Sequence, residues 1–219
     1  MNEFLLKTNY PKLNVYEFEY GDTVISKMSP DVYVLNDKGK QYMVYNTKTH
    51  ETAMGCFAHY HFAHGHTVCT GLGFGGREKW ILSKPSVTHL TIIERNPAII
   101  KYNELHNPDL MKKAEVICAD ANHVKMECDV LLVDHHPDGD VESTQDIWFN
   151  TVANTTKNIK SKITWWWPIE EVILYHKSIS PNLSLIDIYN DIVRNYKLLN
   201  MPKVDEKFLE FLMTYCTNK

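Results

Sequence analysis

Hydrophobic and polar residues alternate in the first part of the chain, a pattern typical of β-strands. Two such runs, at 32–35 and 42–45, flank the turn-forming sequence Asn-Asp-Lys-Gly at 36–39. This arrangement predicts a hairpin. The stretch NVYEFEYGDTVI, which starts at Asn14, indicates one or two further strands. We therefore expect residues 1–48 to form a small β-rich N-terminal region.

The hydrophobic pattern changes twice after residue 48. Apolar residues recur at helical spacing over residues 49–66, which predicts a helix. From Thr67 on, short apolar runs alternate with helical patterns. The predicted strands are HTVCT, VTHLTIIE, AEVICAD, CDVLLVD and KITWWW, and the predicted helices between them cover residues 77–84, 96–105 and 142–160.

Strands that alternate with helices in this way indicate a parallel sheet with right-handed crossovers. The sequence after residue 167 is mostly helical in pattern. We therefore expect an α/β fold, with a Rossmann-like, doubly wound, mostly parallel sheet and a helical C-terminal part. The expected domain boundaries are 1–48 for the β-rich region and 49–219 for the Rossmann-like domain.

Composition adds exclusions. The chain has 219 residues and a formal net charge of -4, so it lacks the basic excess typical of nucleic-acid-binding proteins. The N-terminus has an acid at position 3, and no apolar run is long enough to span a bilayer, so we expect neither a signal peptide nor a membrane partner. The five cysteines are widely spaced, without a C-x-x-C pair, which favours a reducing, cytoplasmic location.

The stretch VCTGLGFGG joins a predicted strand to a predicted helix. Gly71, Gly73 and Gly76 match the G-x-G-x-x-G fingerprint of dinucleotide-binding proteins. Glycine lets the backbone approach a ligand closely, and a helix N-terminus offers N–H groups to it. The pattern alone is weakly specific, so NAD binding is one interpretation.

Three successive predicted strands end in an acid: Glu94, Asp120 and Asp134. The carboxyl ends of parallel strands meet at one edge of the sheet, where open α/β sheets bind ligands. A carboxylate after the second strand can accept both hydroxyl groups of an adenosine ribose. The competing interpretation is that loops after strands contain acids only because they are solvated.

Together these motifs resemble those of the class I S-adenosylmethionine-dependent transferases, and most closely the spermidine synthase branch. The resemblance covers roughly residues 30 to 165 and rests on order and spacing. That family has Gly-Gly-Gly-Asp-Gly-Gly where this chain has GLGFGG, and Tyr-His-Glu-Met where this chain has THETAM. The resemblance implies S-adenosylmethionine, or its decarboxylated form, as the cofactor. The implied cofactor-binding residues are Gly71, Gly73, Gly75, Glu94, Asp120, Ala121 and Glu51.

The same resemblance places a catalytic aspartate at Asp134, followed by His135 and, later in the loop, Asp138. A nucleophilic amine must lose a proton, and a carboxylate or an imidazole can accept it. We therefore predict catalytic roles for these three residues. For the histidine, a polar loop that only caps the next helix is the alternative.

Departures from the family decide the choice between reactions. Phe74 replaces the aspartate of the glycine turn, Thr49 replaces the tyrosine before His-Glu, and Asp138 stands one residue later than the family's second acid. In the family these positions hold the polyamine. We therefore predict methyl transfer to a small-molecule acceptor, of an amine type. Aminopropyl transfer, NAD binding and a catalytically degenerate domain are the alternatives.

Histidines crowd the sequence before the glycine turn. His59, His61 and His64 come close to the H-x-H-x-D-H motif of metallo-β-lactamase-like hydrolases, but residue 63 is alanine. On a helix, His59 and His61 point roughly 200° apart, and a structural zinc ion needs four ligands. We therefore predict no metal. For partners, we expect no nucleic acid, and the exposed hairpin is available for pairing in a homodimer.

Overall fold

The computed structural model describes residues 10–11, 13–47, 56–135 and 140–216. The predicted site residues Glu51 and Asp138 lie outside the described residues, as does the Thr49 substitution. The described residues form two β-sheets, one antiparallel and one parallel.

The N-terminal sheet has four strands in sequential antiparallel order: β1 (Phe18–Tyr20), β2 (Thr23–Ser29), β3 (Val32–Asp37) and β4 (Lys40–Asn46). Lys38 and Gly39 join β3 to β4, and both have positive φ, at 49° and 72°. Positive φ at both central residues is the requirement of a type I′ turn, whose twist matches that of a hairpin. The predicted hairpin and the two additional strands are confirmed.

The second sheet has five parallel strands: β5 (Gly65–Thr70), β6 (Val87–Glu94), β7 (Glu115–Cys118), β8 (Met126–Val133) and β9 (Ile159–Trp166). Their order in the sheet is β7-β6-β5-β8-β9. The chain moves outward from β5 to β7 and then returns to place β8 on the other side of β5. The topological switch point, where doubly wound sheets bind ligands, therefore lies between β5 and β8. The predicted Rossmann-like α/β fold is confirmed.

Helices connect the parallel strands and complete the C-terminal part. They are α1 (Phe57–Phe62), α2 (Gly76–Leu82), α3 (Pro97–His106), α4 (Pro108–Lys113), α5 (Val141–Asn158), α6 (Ile169–Ile179), α7 (Leu185–Asn195) and α8 (Glu206–Cys216), with a 3₁₀ turn at Ala121–His123. The helical C-terminal part was predicted, and α4 was not. Within the described part of the chain, no helix combines the length and the apolar character that crossing a bilayer requires.

The boundaries of two predicted helices need correction. The helix expected up to residue 66 ends at Phe62, because Ala63 takes extended dihedral angles and Gly65, with φ of 55°, already begins β5. The start of that helix, at residues 49–55, lies outside the described residues. The helix expected up to Lys160 ends at Asn158, and β9 follows it directly.

Helices cover both faces of the parallel sheet, as the tryptophans of β9 show. Trp165 packs against Phe62 of α1 and Tyr189 of α7, whereas Trp166 packs against Phe149 of α5. Both indoles are fully buried. Neighbouring residues of a strand point to opposite faces, so each tryptophan fills a different layer of the core.

The two sheets share one continuous hydrophobic core. Phe74, in the turn after β5, lies 5.8 Å from Tyr45 of β4 and 5.9 Å from Tyr102 of α3, measured between ring centroids. The side chain of Phe74 is therefore a packing element that joins the N-terminal sheet to the parallel sheet. The division of the chain at residue 48 into two domains stays a prediction.

Candidate functional site

A cleft of about 500 Å³ lies at the carboxyl ends of the parallel strands, at the switch point between β5 and β8. The cleft collects every predicted site residue that the structure describes. These are Gly71, Gly73, Gly75, Glu94, Asp120, Ala121, Asp134 and His135. Strands β3 and β4 supply one wall, with Asp37, Tyr42, Met43 and Tyr45, and Trp148, Trp167 and Glu171 supply another.

Gly71 brings the end of β5 against the end of β8. Its φ is 76°, and a Cβ atom at this position would lie 2.2 Å from the backbone oxygen of Asp134. Its own N–H donates to the carbonyl of Ile93 at the end of β6. Three neighbouring strand ends are therefore held together at one point, and a ligand seated on the glycine turn lies beside Asp134.

Part of the glycine turn is engaged by the protein itself. The Leu72 N–H donates to Oε2 of Glu94, at 2.9 Å, and the Gly75 N–H donates to the carbonyl of Leu72. These two amides are therefore not among the N–H groups that the turn can offer to a ligand. A Cβ atom on Gly75 would meet Asn103 and Leu110, so helix packing also explains that glycine.

Glu94 has the geometry of a ribose acceptor. It is 8% exposed, and its two oxygens accept the N–H groups of Leu72 and Asn96, at 2.9 and 2.7 Å. Each carboxylate oxygen keeps a second lone pair, which can accept a hydroxyl group. Burial raises the pKa of Glu94, while the two N–H groups oppose this shift.

Asp120 and Ala121 follow β7 on the same side of the cleft. The Asp120 side chain caps the 3₁₀ turn by accepting the Asn122 N–H at 2.9 Å, and Ala121 is buried beneath it. Asp120 is about half-exposed and lines the cleft. One oxygen is engaged by the cap, which leaves the carboxylate able to accept a further donor, such as an adenine amino group.

A buried charged cluster stands behind Asp134, and the sequence analysis did not identify it. Arg77 and Glu78 open helix α2 and are 6% and 1% exposed. Nε of Arg77 donates to Glu78 Oε1 at 2.6 Å, and Nη1 donates to Asp134 Oδ2 at 2.7 Å. Burial raises the pKa of Glu78, and the ion pair with Arg77 opposes this shift. The sequence shows two consecutive charges at the start of a predicted helix, but it does not show that they are buried.

His135 lies in the cleft wall, between two threonine hydroxyl groups. Its Nδ1 is 2.6 Å from Thr70 Oγ1 and its Nε2 is 3.4 Å from Thr155 Oγ1. The Thr70 oxygen also accepts the N–H of Asp134, at 3.0 Å, so its own proton is available for Nδ1. Both ring nitrogens are therefore engaged. This arrangement favours a role in orienting the backbone of Asp134 over a role as proton acceptor.

Negative charge dominates the lining of the cleft. Among the described residues, the acidic ones that line the cleft are Asp37, Glu78, Glu94, Asp120, Asp134 and Glu171, and the basic ones are Arg77 and Arg95. Clefts lined by one sign of charge concentrate ligands of the opposite sign. The site is therefore suited to a ligand that carries positive charge.

The histidines before the glycine turn have separate environments. His59 is fully buried with Nδ1 3.5 Å from Arg77 Nη1, His61 packs against the ring of Phe208, and Nδ1 of His64 is 2.8 Å from the carbonyl of Phe62. The described residues contain no group of three or more histidine, cysteine, aspartate or glutamate side chains able to hold a metal ion.

No protein-family model matches the sequence, and no curated protein matches it. Among solved structures, the chain is similar to spermidine synthase from Thermotoga maritima, with 18% identity, a TM-score of 0.43 and coverage of 67% of this chain and 52% of that one. It is also similar to a spermidine synthase in complex with the transition-state analogue AdoDATO, with 15% identity, a TM-score of 0.43 and coverage of 76% and 62%.

A third similar structure is the mitomycin 7-O-methyltransferase MmcR, with 22% identity, a TM-score of 0.39 and coverage of 52% of this chain and 34% of that one. The chain spans less than two thirds of the length of each of these three proteins. These similarities concern the fold alone. Because the TM-scores are low, the fold is described from the sheet topology of this chain.

Proposed function

We propose that this chain is an S-adenosylmethionine-dependent transferase that moves a methyl group to a small amine-type acceptor. One observation carries the proposal: the glycine turn, Glu94, Asp120 and Asp134 converge in a single acidic cleft at the switch point. Solvated strand-end acids would not need to share a cleft with a glycine turn. The excess of carboxylates also supports a donor and an acceptor that both carry positive charge.

The proposed roles follow from the contacts of each side chain. The donor supplies a sulfonium carbon that an amine can attack. Glu94 accepts the ribose hydroxyls, and Asp120 accepts the adenine amino group. Asp134 lies beside the glycine turn, where it takes the proton that the amine loses as the new N–C bond forms and the S–C bond breaks. Orienting donor and acceptor in line supplies the remainder of the rate enhancement.

Aminopropyl transfer from decarboxylated S-adenosylmethionine is the second candidate. The altered positions Phe74, Thr49 and Asp138 disfavour a polyamine acceptor. However, Asp37 and Glu171 line the same cleft as Asp134, and these separate carboxylates could pair with the ammonium groups of a polyamine. Against NAD, the acids after β7 and β8 would have no role in holding a dinucleotide.

Product identification separates these reactions. The protein is incubated with each donor and a panel of amines, and the products are identified by mass spectrometry. We expect S-adenosylhomocysteine together with a methylated amine. Methylthioadenosine together with a new polyamine would establish aminopropyl transfer instead, and methylthioadenosine without a modified acceptor would establish cofactor cleavage.

One result would overturn the proposal, and a second would overturn only the role of Asp134. The first is a chain that neither binds nor consumes either donor while NAD raises its melting temperature. The second concerns the base: Asp134→Asn is expected to lower turnover by about 10²-fold or more. Turnover of this variant near the wild-type rate would remove Asp134 from proton transfer, while leaving the donor assignment intact.

A further inference from the structure

Arg77 has more partners than a salt bridge requires. Its Nη2 donates to the carbonyl oxygens of Gly71 and Thr70, at 2.7 and 3.2 Å. Its Nη1 donates to Asp134 and lies 3.5 Å from Nδ1 of His59, and its Nε donates to Glu78. A guanidinium has five N–H donors, and at least four of them have an oxygen acceptor here. Arg77 is therefore held by the protein itself, although it borders the cleft.

The same contacts fix Asp134 on both sides. Its N–H donates to Thr70 Oγ1, its carbonyl oxygen lies against Gly71, and its Oδ2 accepts from Arg77. The side chain remains 34% exposed. Arg77 engages Oδ2, and Asp134 lines the cleft, so Oδ1 is the oxygen that we assign to the ligand.

The charges of the cluster do not cancel. Arg77 carries one positive charge against the two negative charges of Glu78 and Asp134, which leaves one net negative charge beside the glycine turn. A sulfonium donor is a cation at its sulfur, whereas the thioether product of the same reaction is neutral there. A fixed negative charge beside the ligand attracts the sulfonium of the donor more strongly than the neutral thioether of the product.

We propose that Arg77 is a positioning residue that holds the Asp134 carboxylate against the glycine turn, where its charge favours a sulfonium donor over the neutral thioether product. This inference rests on the proposed function. It gives the site a way to bind the donor more tightly than the product, so that the product is released. Arg77 acts through Asp134 and does not itself touch either ligand.

The test measures the dissociation constants of S-adenosylmethionine and S-adenosylhomocysteine by calorimetry, for the wild type, Arg77→Met, Asp134→Asn and the double variant. The readout is the dissociation constant of S-adenosylmethionine divided by that of S-adenosylhomocysteine. We expect Asp134→Asn to raise this ratio by about tenfold. Arg77→Met removes a positive charge, which by itself would lower the ratio, so a rise in this variant has to come from displacement of the Asp134 carboxylate, and we expect such a rise. Because Arg77 acts through Asp134, the double variant should raise the ratio no further than either single variant.

Two further variants separate positioning from general destabilisation. Arg77→Met leaves Glu78 buried without a counter-charge, which weakens the fold, so Arg77→Lys is measured beside it. Lysine keeps the charge but has three donors, and we expect a ratio between those of the wild type and Arg77→Met. The exposed Arg194 of α7, paired with Asp191, supplies the control: Arg194→Met should leave the ratio at the wild-type value.

The outcomes that overturn the inference are distinct from those that overturn the proposed function. If the Arg77 variants weaken both ligands equally, Arg77 has a structural role only. If the effects of Arg77→Met and Asp134→Asn multiply in the double variant, the two residues act independently. A wild-type chain that binds neither ligand would remove the proposed function, and this inference with it.

Discussion

Gly71 shows how a single backbone position can determine a site. Its positive φ alone favours glycine, but many turns share that property. The second constraint is the Asp134 carbonyl oxygen, which occupies the space of the missing side chain. The contact places the proposed proton acceptor beside the glycine turn. Both the local conformation and the geometry of the site therefore require that residue 71 has no Cβ atom.

Replacing Gly71 by alanine should therefore destabilise the protein by about 3 kcal/mol or more, since the strain of positive φ adds to the clash with Asp134. The matched control is Gly39→Ala. Gly39 has a φ of 72°, close to the 76° of Gly71, but nothing lies within 4 Å of its Cβ position. It should cost only about 1 kcal/mol. Urea denaturation measures both, and equal losses would contradict the close-approach argument.

The buried carboxylate of Glu94 leads to a prediction about pH. Burial raises its pKa above the ordinary value, so it becomes protonated as pH falls while an exposed glutamate would still be charged. A protonated Glu94 is a poorer acceptor for ribose hydroxyls. We expect the affinity for 5′-methylthioadenosine, which shares the adenosine of both donors, to decrease as pH is lowered through this raised pKa.

Glu94→Gln tests the same assignment without a change of pH. Glutamine keeps one acceptor oxygen, so the variant should bind 5′-methylthioadenosine about tenfold more weakly. Its affinity should also lose the pH dependence of the wild type, because the titrating group is gone. A variant with wild-type affinity and an unchanged pH profile would exclude Glu94 from the adenosine site.

At the scale of elements, the strands of the parallel sheet were predictable and some helix ends were not. Strand β6 was predicted at its observed bounds, and the apolar residues Leu90, Ile92 and Ile93 lie in its buried second half. Helix α4, which was not predicted, begins at Pro108, directly after α3. Proline fits the first turn of a helix well.

The same contrast holds for the site. Glu94, Asp120 and Asp134 could be predicted together because each follows a strand, and parallel strands end at one edge. Arg77 could not, because burial of a charge depends on partners that only the fold supplies, here Asp134 at 57 positions' distance. The engagement of His135 by Thr70 and Thr155 was hidden for the same reason.

Two tryptophans near the end of β9, Trp165 in the strand and Trp167 directly after it, give a prediction about stability and binding. Trp165 is fully buried within the core, whereas Trp167 is partly exposed and lines the cleft. Trp165→Ala should lower the free energy of unfolding by about 3–5 kcal/mol. Trp167→Ala should cost markedly less stability and weaken ligand binding instead. Chemical denaturation and calorimetry measure the two effects, and equal stability losses would place Trp167 in the core.

At the scale of the whole molecule, the antiparallel and parallel sheets behave as one packed body. Ile25, Leu35 and Tyr45 of the N-terminal sheet belong to the same hydrophobic cluster as the buried strands of the parallel sheet. The cleft has walls from both. A separately folding N-terminal domain would lose this shared core, and with it one wall of the site.

This packing predicts a single unfolding transition. All five tryptophans, at 80, 148 and 165–167, lie in the parallel-sheet part of the chain, so their fluorescence follows mainly the unfolding of that part. Far-ultraviolet circular dichroism detects both sheets. We expect the two probes to give coincident denaturation curves, which is the test of all-or-none unfolding. Separate midpoints would instead establish two independent domains that divide near residue 48.

Phe74 is the residue on which this cooperativity depends most directly. It stands where the resembled family has an aspartate, and it packs between Tyr45 and Tyr102. Phe74→Ala should cost about 3–5 kcal/mol and separate the two probes, because the loss falls at the junction of the sheets. Phe149→Ala, at a similarly buried position against Trp166, should cost as much while the curves stay coincident. Coincident curves in both variants would show that Phe74 stabilises the turn without coupling the sheets.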